Sequence, residues 1–123
     1  MRILVIESDA ASLKLIRTIL ISGGHEVVCA DSVINGLTMA ADSPPELIVM
    51  DVQLAEMDDF SAIRYLKTEP RLRSVPVIAA TAMALKNDRE RILEAGYDHY
   101  IAKPIRYREV LELVAMIAEN RGT

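Results

Sequence analysis

Short, unbroken apolar runs alternate along this chain with longer stretches in which apolar residues recur at helical spacing. Residues 3–6, Ile-Leu-Val-Ile, form a continuous apolar run, the pattern of a strand buried on both faces of its sheet. From Leu13, apolar residues recur at Ile16 and Leu20, a helical stripe that stops at Gly23-Gly24. Residues 26–30 give a second short strand, and Asp31-Ser32 begins a helix ending near Asp42. Pro44-Pro45 marks a loop, and Leu47-Ile48-Val49-Met50 reads as a third strand. Asp58 or Asp59 offers a cap for a helix running through Lys67 and closed by Pro70. Residues 75–80 are the fourth strand, and residues 87–95 lie on a helix stopped by Gly96. A weaker strand at 99–102 precedes a last helix with Val110, Val114 and Ile117 on one face.

Strictly alternating strands and helices with short connections imply an α/β fold, a parallel sheet covered by helices on both sides. No repeat, linker or low-complexity segment interrupts the pattern, so the 123 residues read as one domain over 1–123, leaving no room for a fused output domain. The formal net charge of −4 argues against a surface built for nucleic acid or anionic lipid. Cys29 is the only cysteine, which excludes an intrachain disulfide and a cysteine-rich zinc site and fits a reducing compartment. The N-terminal apolar run meets Glu7 and Asp9 too soon for a secretory core or a membrane span. The expectation is a cytoplasmic protein with no direct nucleic-acid or membrane contact.

Ligands of open parallel sheets bind beyond the carboxyl ends of the strands. There the first strand is followed by Glu7-Ser8-Asp9, the third by Asp51, the fourth by Thr81-Ala82 and the fifth by Lys103-Pro104. Carboxylates, a hydroxyl and an amine from distant parts of the chain therefore converge on one rim. This set suggests phosphoryl transfer to a carboxylate, with Asp51 as the attacking group and Mg²⁺ gathering carboxylate and phosphate oxygens. Lys103 and Thr81 would contact the remaining phosphate oxygens. Each residue also has an ordinary structural reading: Asp9 as a cap of the first helix, Thr81 as a cap of the fourth, Lys103 as the partner of a surface acid. Asp51, directly after a buried apolar strand, is the hardest to explain that way.

The stretches Ile3-Leu4-Val5-Ile6-Glu7, Leu47-Ile48-Val49-Met50-Asp51-Val52-Gln53-Leu54 and Met57-Asp58 resemble the receiver domain of bacterial two-component response regulators. So do Pro76-Val77-Ile78-Ala79-Ala80-Thr81-Ala82, Ala95-Gly96-Tyr97-Asp98 and Tyr100-Ile101-Ala102-Lys103-Pro104-Ile105. The resemblance covers nearly the whole chain. It implies a flavodoxin-like, doubly wound fold of five parallel strands in the order 2-1-3-4-5 with five helices. It further implies that Asp51 takes phosphate from a histidine kinase or phosphotransfer protein, and that the Gln53 carbonyl helps ligate Mg²⁺. Thr81 and Lys103 would sense the phosphate, Tyr100 would be an aromatic switch, and Pro104 would follow a cis peptide bond. The face of the fourth helix, fifth strand and fifth helix would meet a downstream signalling protein, here through Arg89, Arg106, Tyr107 and Arg108.

Three positions depart from the family pattern. Ser8 stands where a second acid usually ligates the metal, and a hydroxyl is a weaker Mg²⁺ ligand than a carboxylate. Glu7, one methylene longer than Asp, could reach in instead, and Asp9 could do so only if the chain turns early. Ala55 replaces a proline, and Asp59 a glycine, in the loop after Asp51. Two functions follow from these facts: a phosphorylation-driven switch, or a degenerate receiver that binds partners without efficient phosphorylation. An aspartyl-phosphate phosphatase would need a further acid and a substrate cap, for which the chain has no spare segment. A flavodoxin-type cofactor protein would need a glycine- or hydroxyl-rich phosphate loop, which does not follow the first strand.

Overall fold

The computed structural model describes residues 1–55, 60–82 and 86–121, without the side chains of 54, 55, 86, 87 and 121. Its centre is a parallel sheet of five strands, β1 (Arg2–Ile6), β2 (Glu26–Ala30), β3 (Leu47–Asp51), β4 (Val77–Thr81) and β5 (His99–Ala102). They lie in the order β2-β1-β3-β4-β5. The central β3 and β4 are buried at all five positions, as strands covered on both faces must be, whereas the edge strand β2 is only partly buried.

Strand alternation divides the apolar side chains into two layers. Leu4, Ile6, Ile48, Met50, Val77 and Ala79 face one cluster, completed by Ile63, Leu66 and Ile92 from the helices on that side. Ile3, Val5, Leu47, Val49, Ile78 and Ala80 face the other, completed by Ile16, Ile19 and Leu20 and by Val110, Val114 and Ile117. The helices are α1 (Ala10–Ser22), α2 (Val33–Asp42), the one-turn α3 (Val52–Ala55), α4 (Ser61–Thr68), α5 (Lys86–Ala95) and α6 (Tyr107–Arg121). Five of these are the expected covering helices, and α3 adds a turn directly after Asp51. α1 has no acid in its first turn and no base in its last. Burial therefore holds it, at about 1.5–3 kcal/mol for each of its three fully buried side chains.

Close approach of α2 to β1 needs Gly36, where a Cβ would lie 2.4 Å from Ile6 Cδ1. α1 ends at Gly23, and Gly24 follows with φ +87°, a left-handed turn that returns the chain to β2.

Two elements depart most from the sequence expectation. The fourth strand begins at Val77, because the Val75 amide is turned back to the Leu72 carbonyl (2.9 Å), and it extends to Thr81, which pairs with Ala102. α4 begins at Ser61 behind Phe60, whose φ of 55° and ψ of 34° are left-handed and whose side chain gives no cap. The candidate caps Asp58 and Asp59 lie outside the described residues. No described helix is long and apolar enough to cross a membrane.

Candidate functional site

Sheet register alone brings the rim residues together. Ile6 pairs with Met50, so Glu7 and Asp51 come next on adjacent strands. Asp51 pairs with Ala80 and Thr81 with Ala102, which sets Lys103 one step beyond. By strand alternation Glu7, Asp51 and Lys103 follow the same side of the sheet, while Thr81 shares the opposite side with Ala79 and Tyr100.

The Lys103 ammonium bridges the two acids. Its Nζ donates to Glu7 Oε1 at 2.6 Å and to Asp51 Oδ2 at 2.9 Å. Asp51 Oδ1 accepts the Gln53 amide at 2.8 Å, a bond made possible by the α3 turn. Glu7 Oε2 accepts the amides of Ser8 (3.1 Å) and Asp9 (3.4 Å). Only 1% of Glu7 and 8% of Asp51 is exposed, so the pair sits in a largely dry setting where charge interactions are strong. Thr81 is fully buried.

Two carboxylates share one cation here. Burial, followed by the hydrogen bond with Asp51, pushes the Glu7 carboxyl above its usual range, against the opposing pull of Lys103. For Lys103, burial pushes downward, but its bonds to Glu7 and Asp51 outweigh burial and the net shift is upward. The ammonium stays charged, and burial works against the charged form of Glu7.

Asp9 is placed differently. Its Oδ2 accepts the Ser12 amide at 2.9 Å, which caps α1, and that bond lowers its pKa. The Lys103–Pro104 peptide bond is cis. Tyr100 is half-buried against the α4–α5 side of the core. Arg106 and Arg108 are exposed; the Tyr107 hydroxyl is 3.1 Å from Ser22 Oγ, which ties it to α1.

The family of this chain follows from residues 3–115, which match the model of the response regulator receiver domain. The chain is a response regulator receiver domain. This receiver is 36% identical over 112 residues to the polar-differentiation response regulator DivK of Brucella ovis, covering 91% of each chain. It is 35% identical, with the same coverage, to the DivK protein of Brucella anthropi. Among solved structures it is similar to the receiver domain of the sensor histidine kinase PA1611 from Pseudomonas aeruginosa PAO1. That likeness has 33% identity and a TM-score of 0.82, covering 99% of this chain and 98% of the other. The PA1611 domain is described with a magnesium ion coordinated in its active-site cleft. The Francisella response regulator 1452 receiver domain shares the fold, with a TM-score of 0.87 at 22% identity.

Sequence reasoning could not see that Glu7 and Asp51 would share one ammonium, because nothing in the pattern fixes where a lysine head points. It also missed the Lys67 Nζ to Asp98 Oδ2 pair (2.7 Å), which joins α4 to the loop before β5. Nor did it show the stacking of Arg89 on Tyr100. An arginine on a mostly polar helix carries no sequence signal for such a contact.

Proposed function

We propose that this receiver is a phosphorylation-driven switch whose phosphate acceptor is Asp51. The observation that carries the reading is the junction of Asp51, Glu7 and Lys103 at the sheet rim. An Asp51 carboxylate oxygen forms a bond to phosphorus while the bond from phosphorus to the donor imidazole nitrogen of a histidine kinase or phosphotransfer protein breaks. The product is an acyl phosphate on Asp51 and a free imidazole on the donor. Lys103, already 2.9 Å from Asp51 Oδ2, follows the developing negative charge on the phosphoryl oxygens. Thr81 and Tyr100 answer the new group on the other side of the sheet. The α5–β5–α6 face then alters its binding to a downstream protein, in a cytoplasmic setting.

The donor set fits Mg²⁺, which takes hard oxygens. The Glu7 and Asp51 carboxylates and the Gln53 main-chain carbonyl would hold it. Asp9, committed through one oxygen to capping α1, adds negative charge at the rim. When bound, the ion would offset the charge of the carboxylate and phosphoryl oxygens. Ser8 supplies a hydroxyl in place of an acid, so affinity should be low for a receiver.

That substitution favours a second reading, a degenerate receiver working as a phosphorylation-independent interaction module. Among the described residues no group of three or more His, Cys, Asp or Glu side chains is placed to hold a metal. Incubation with acetyl phosphate and Mg²⁺ followed by intact-mass measurement separates the two. The switch predicts a phosphoryl adduct that is lost in Asp51→Asn and a Ser8→Asp variant that binds Mg²⁺ more tightly. No adduct and no Mg²⁺ binding by titration would establish the second reading instead.

A further inference from the structure

Tyr100 carries the guanidinium of Arg89 over its ring, with Cζ 5.0 Å from the centroid. That is inside the roughly 6 Å range of a cation–π contact. The two residues come from different elements, α5 and β5, so the contact spans the helix–strand junction. No described carboxylate lies within ion-pair distance of Arg89, and the adjacent Asp88 is turned to Arg91 at 4.0 Å. The aromatic face is thus the main electrostatic partner that the described structure offers this cation.

Tyr100 also borders the rim. It pairs across the sheet with Ala79, and Thr81 is the next residue of β4 on the same face. Parallel strands about 4.8 Å apart, rising about 3.3 Å per residue, put such a diagonal neighbour about 8 Å away, within reach of an aromatic side chain. The neighbours between them, Ala79 and Ala102, are small and put little bulk between ring and hydroxyl.

We propose that Arg89 is a positioning residue for Tyr100, its guanidinium holding the ring in the half-buried place it has here. Movement of the ring toward Thr81 would then break the stack. Arg89 therefore opposes the inward position, and the state of the rim sets how often that opposition is overcome. The proposal rests on the reading of Thr81 and Tyr100 as the switch. A partly exposed stack of this kind corresponds to about two- to fivefold in an equilibrium, enough to tune a switch without locking it.

The test uses the full chain labelled with fluorotyrosine, with the Tyr100 resonance assigned by Tyr100→Phe against Tyr65, Tyr97 and Tyr107. Arg89→Met keeps an unbranched apolar stem and removes the cation; Arg89→Lys restores the charge without the planar stack. Fluorine NMR is recorded with Mg²⁺ and increasing beryllofluoride, a mimic of the phosphoryl group that binds at equilibrium. In Arg89→Met the Tyr100 line should shift, before any beryllofluoride, in the direction that beryllofluoride moves it in the unsubstituted protein. By linkage the half-saturating beryllofluoride concentration should fall by about two- to fivefold, with Arg89→Lys in between. A purely structural role would move the melting temperature but not this concentration. If the unsubstituted protein responds while Arg89→Met shows neither effect, the positioning role is overturned and the switch stands. If Tyr100 ignores beryllofluoride but shifts in Arg89→Met, the switch reading of Tyr100 falls and the hold of Arg89 on the ring stands.

Discussion

Glu7 and Asp51 lie side by side because their strands are in register, and the cost of that placement is carried by Lys103. Removing a shared cation differs from removing one of two anions. Lys103→Met leaves two buried carboxylates facing each other and should cost about 3–5 kcal/mol by urea unfolding, the range for an uncompensated buried charge. Glu7→Gln leaves the Lys103–Asp51 pair intact and removes a carboxylate that burial already disfavours, so its cost should be about 1 kcal/mol or less. Equal losses in the two variants would show that the bridge has been misjudged. At the far end of β1, His25 Nδ1 accepts from the Met1 ammonium at 3.0 Å. Burial and then that charge push the His25 pKa below its ordinary 6.5. The fold thus refuses a proton that the unfolded chain accepts. The contribution of His25 to stability should therefore be constant above about pH 6.5 and decline as pH falls below it. The decline should be flattened in His25→Gln, as read from urea midpoints across that window; an unchanged slope would refute the assignment. The types of these residues were plain in the sequence, but their partners were not. A strand pattern fixes where a Cβ points and leaves the head group of a long side chain undetermined.

Helices and strands were more legible than single contacts, since a run such as Leu47-Ile48-Val49-Met50 admits few placements other than a central strand. β2 and β5 match their expected ranges, and Ser32 caps α2 as the Asp31-Ser32 pair implied, its hydroxyl accepting from the Asn35 amide at 3.2 Å. The boundaries of α4 and β4 were less legible because backbone geometry decided them: a left-handed Phe60 and an amide turned back at Val75. The approach of α2 to β1 gives a sharp prediction at this scale. Gly36→Ala would gain about 1 kcal/mol of helix propensity, but its Cβ would meet Ile6 at 2.4 Å. Overpacking of that kind costs about 1–3 kcal/mol, so the net effect should be a loss on the order of 1 kcal/mol in chemical denaturation. A more stable Gly36→Ala would mean that Ile6 yields more easily than the packing implies. At α1, Asp9→Ser should retain the cap and lower Mg²⁺ affinity only slightly, through the loss of a nearby charge, whereas a large loss of affinity by titration would make Asp9 a metal ligand.

Across the whole molecule, the doubly wound order β2-β1-β3-β4-β5 gathers residues from positions 7 to 103 onto one rim. That convergence was legible because each chemically active residue directly follows an apolar strand. What the sequence left open is how well the rim works with Ser8 in place of an acid, since affinity depends on the net charge and geometry of the assembled site. The same topology places the acid pair on one side of the sheet and Thr81 with Tyr100 on the other, so a signal formed at Asp51 would cross the sheet through β4 and β5. Signalling through this rim depends on Asp51 being the residue that carries the phosphoryl group. Borohydride reduction of protein treated with acetyl phosphate and Mg²⁺ converts an aspartyl phosphate to homoserine, which peptide mass mapping then locates. Homoserine should appear at position 51 alone; homoserine at Asp9 or elsewhere, or none at all, would rule out Asp51 as the sole acceptor.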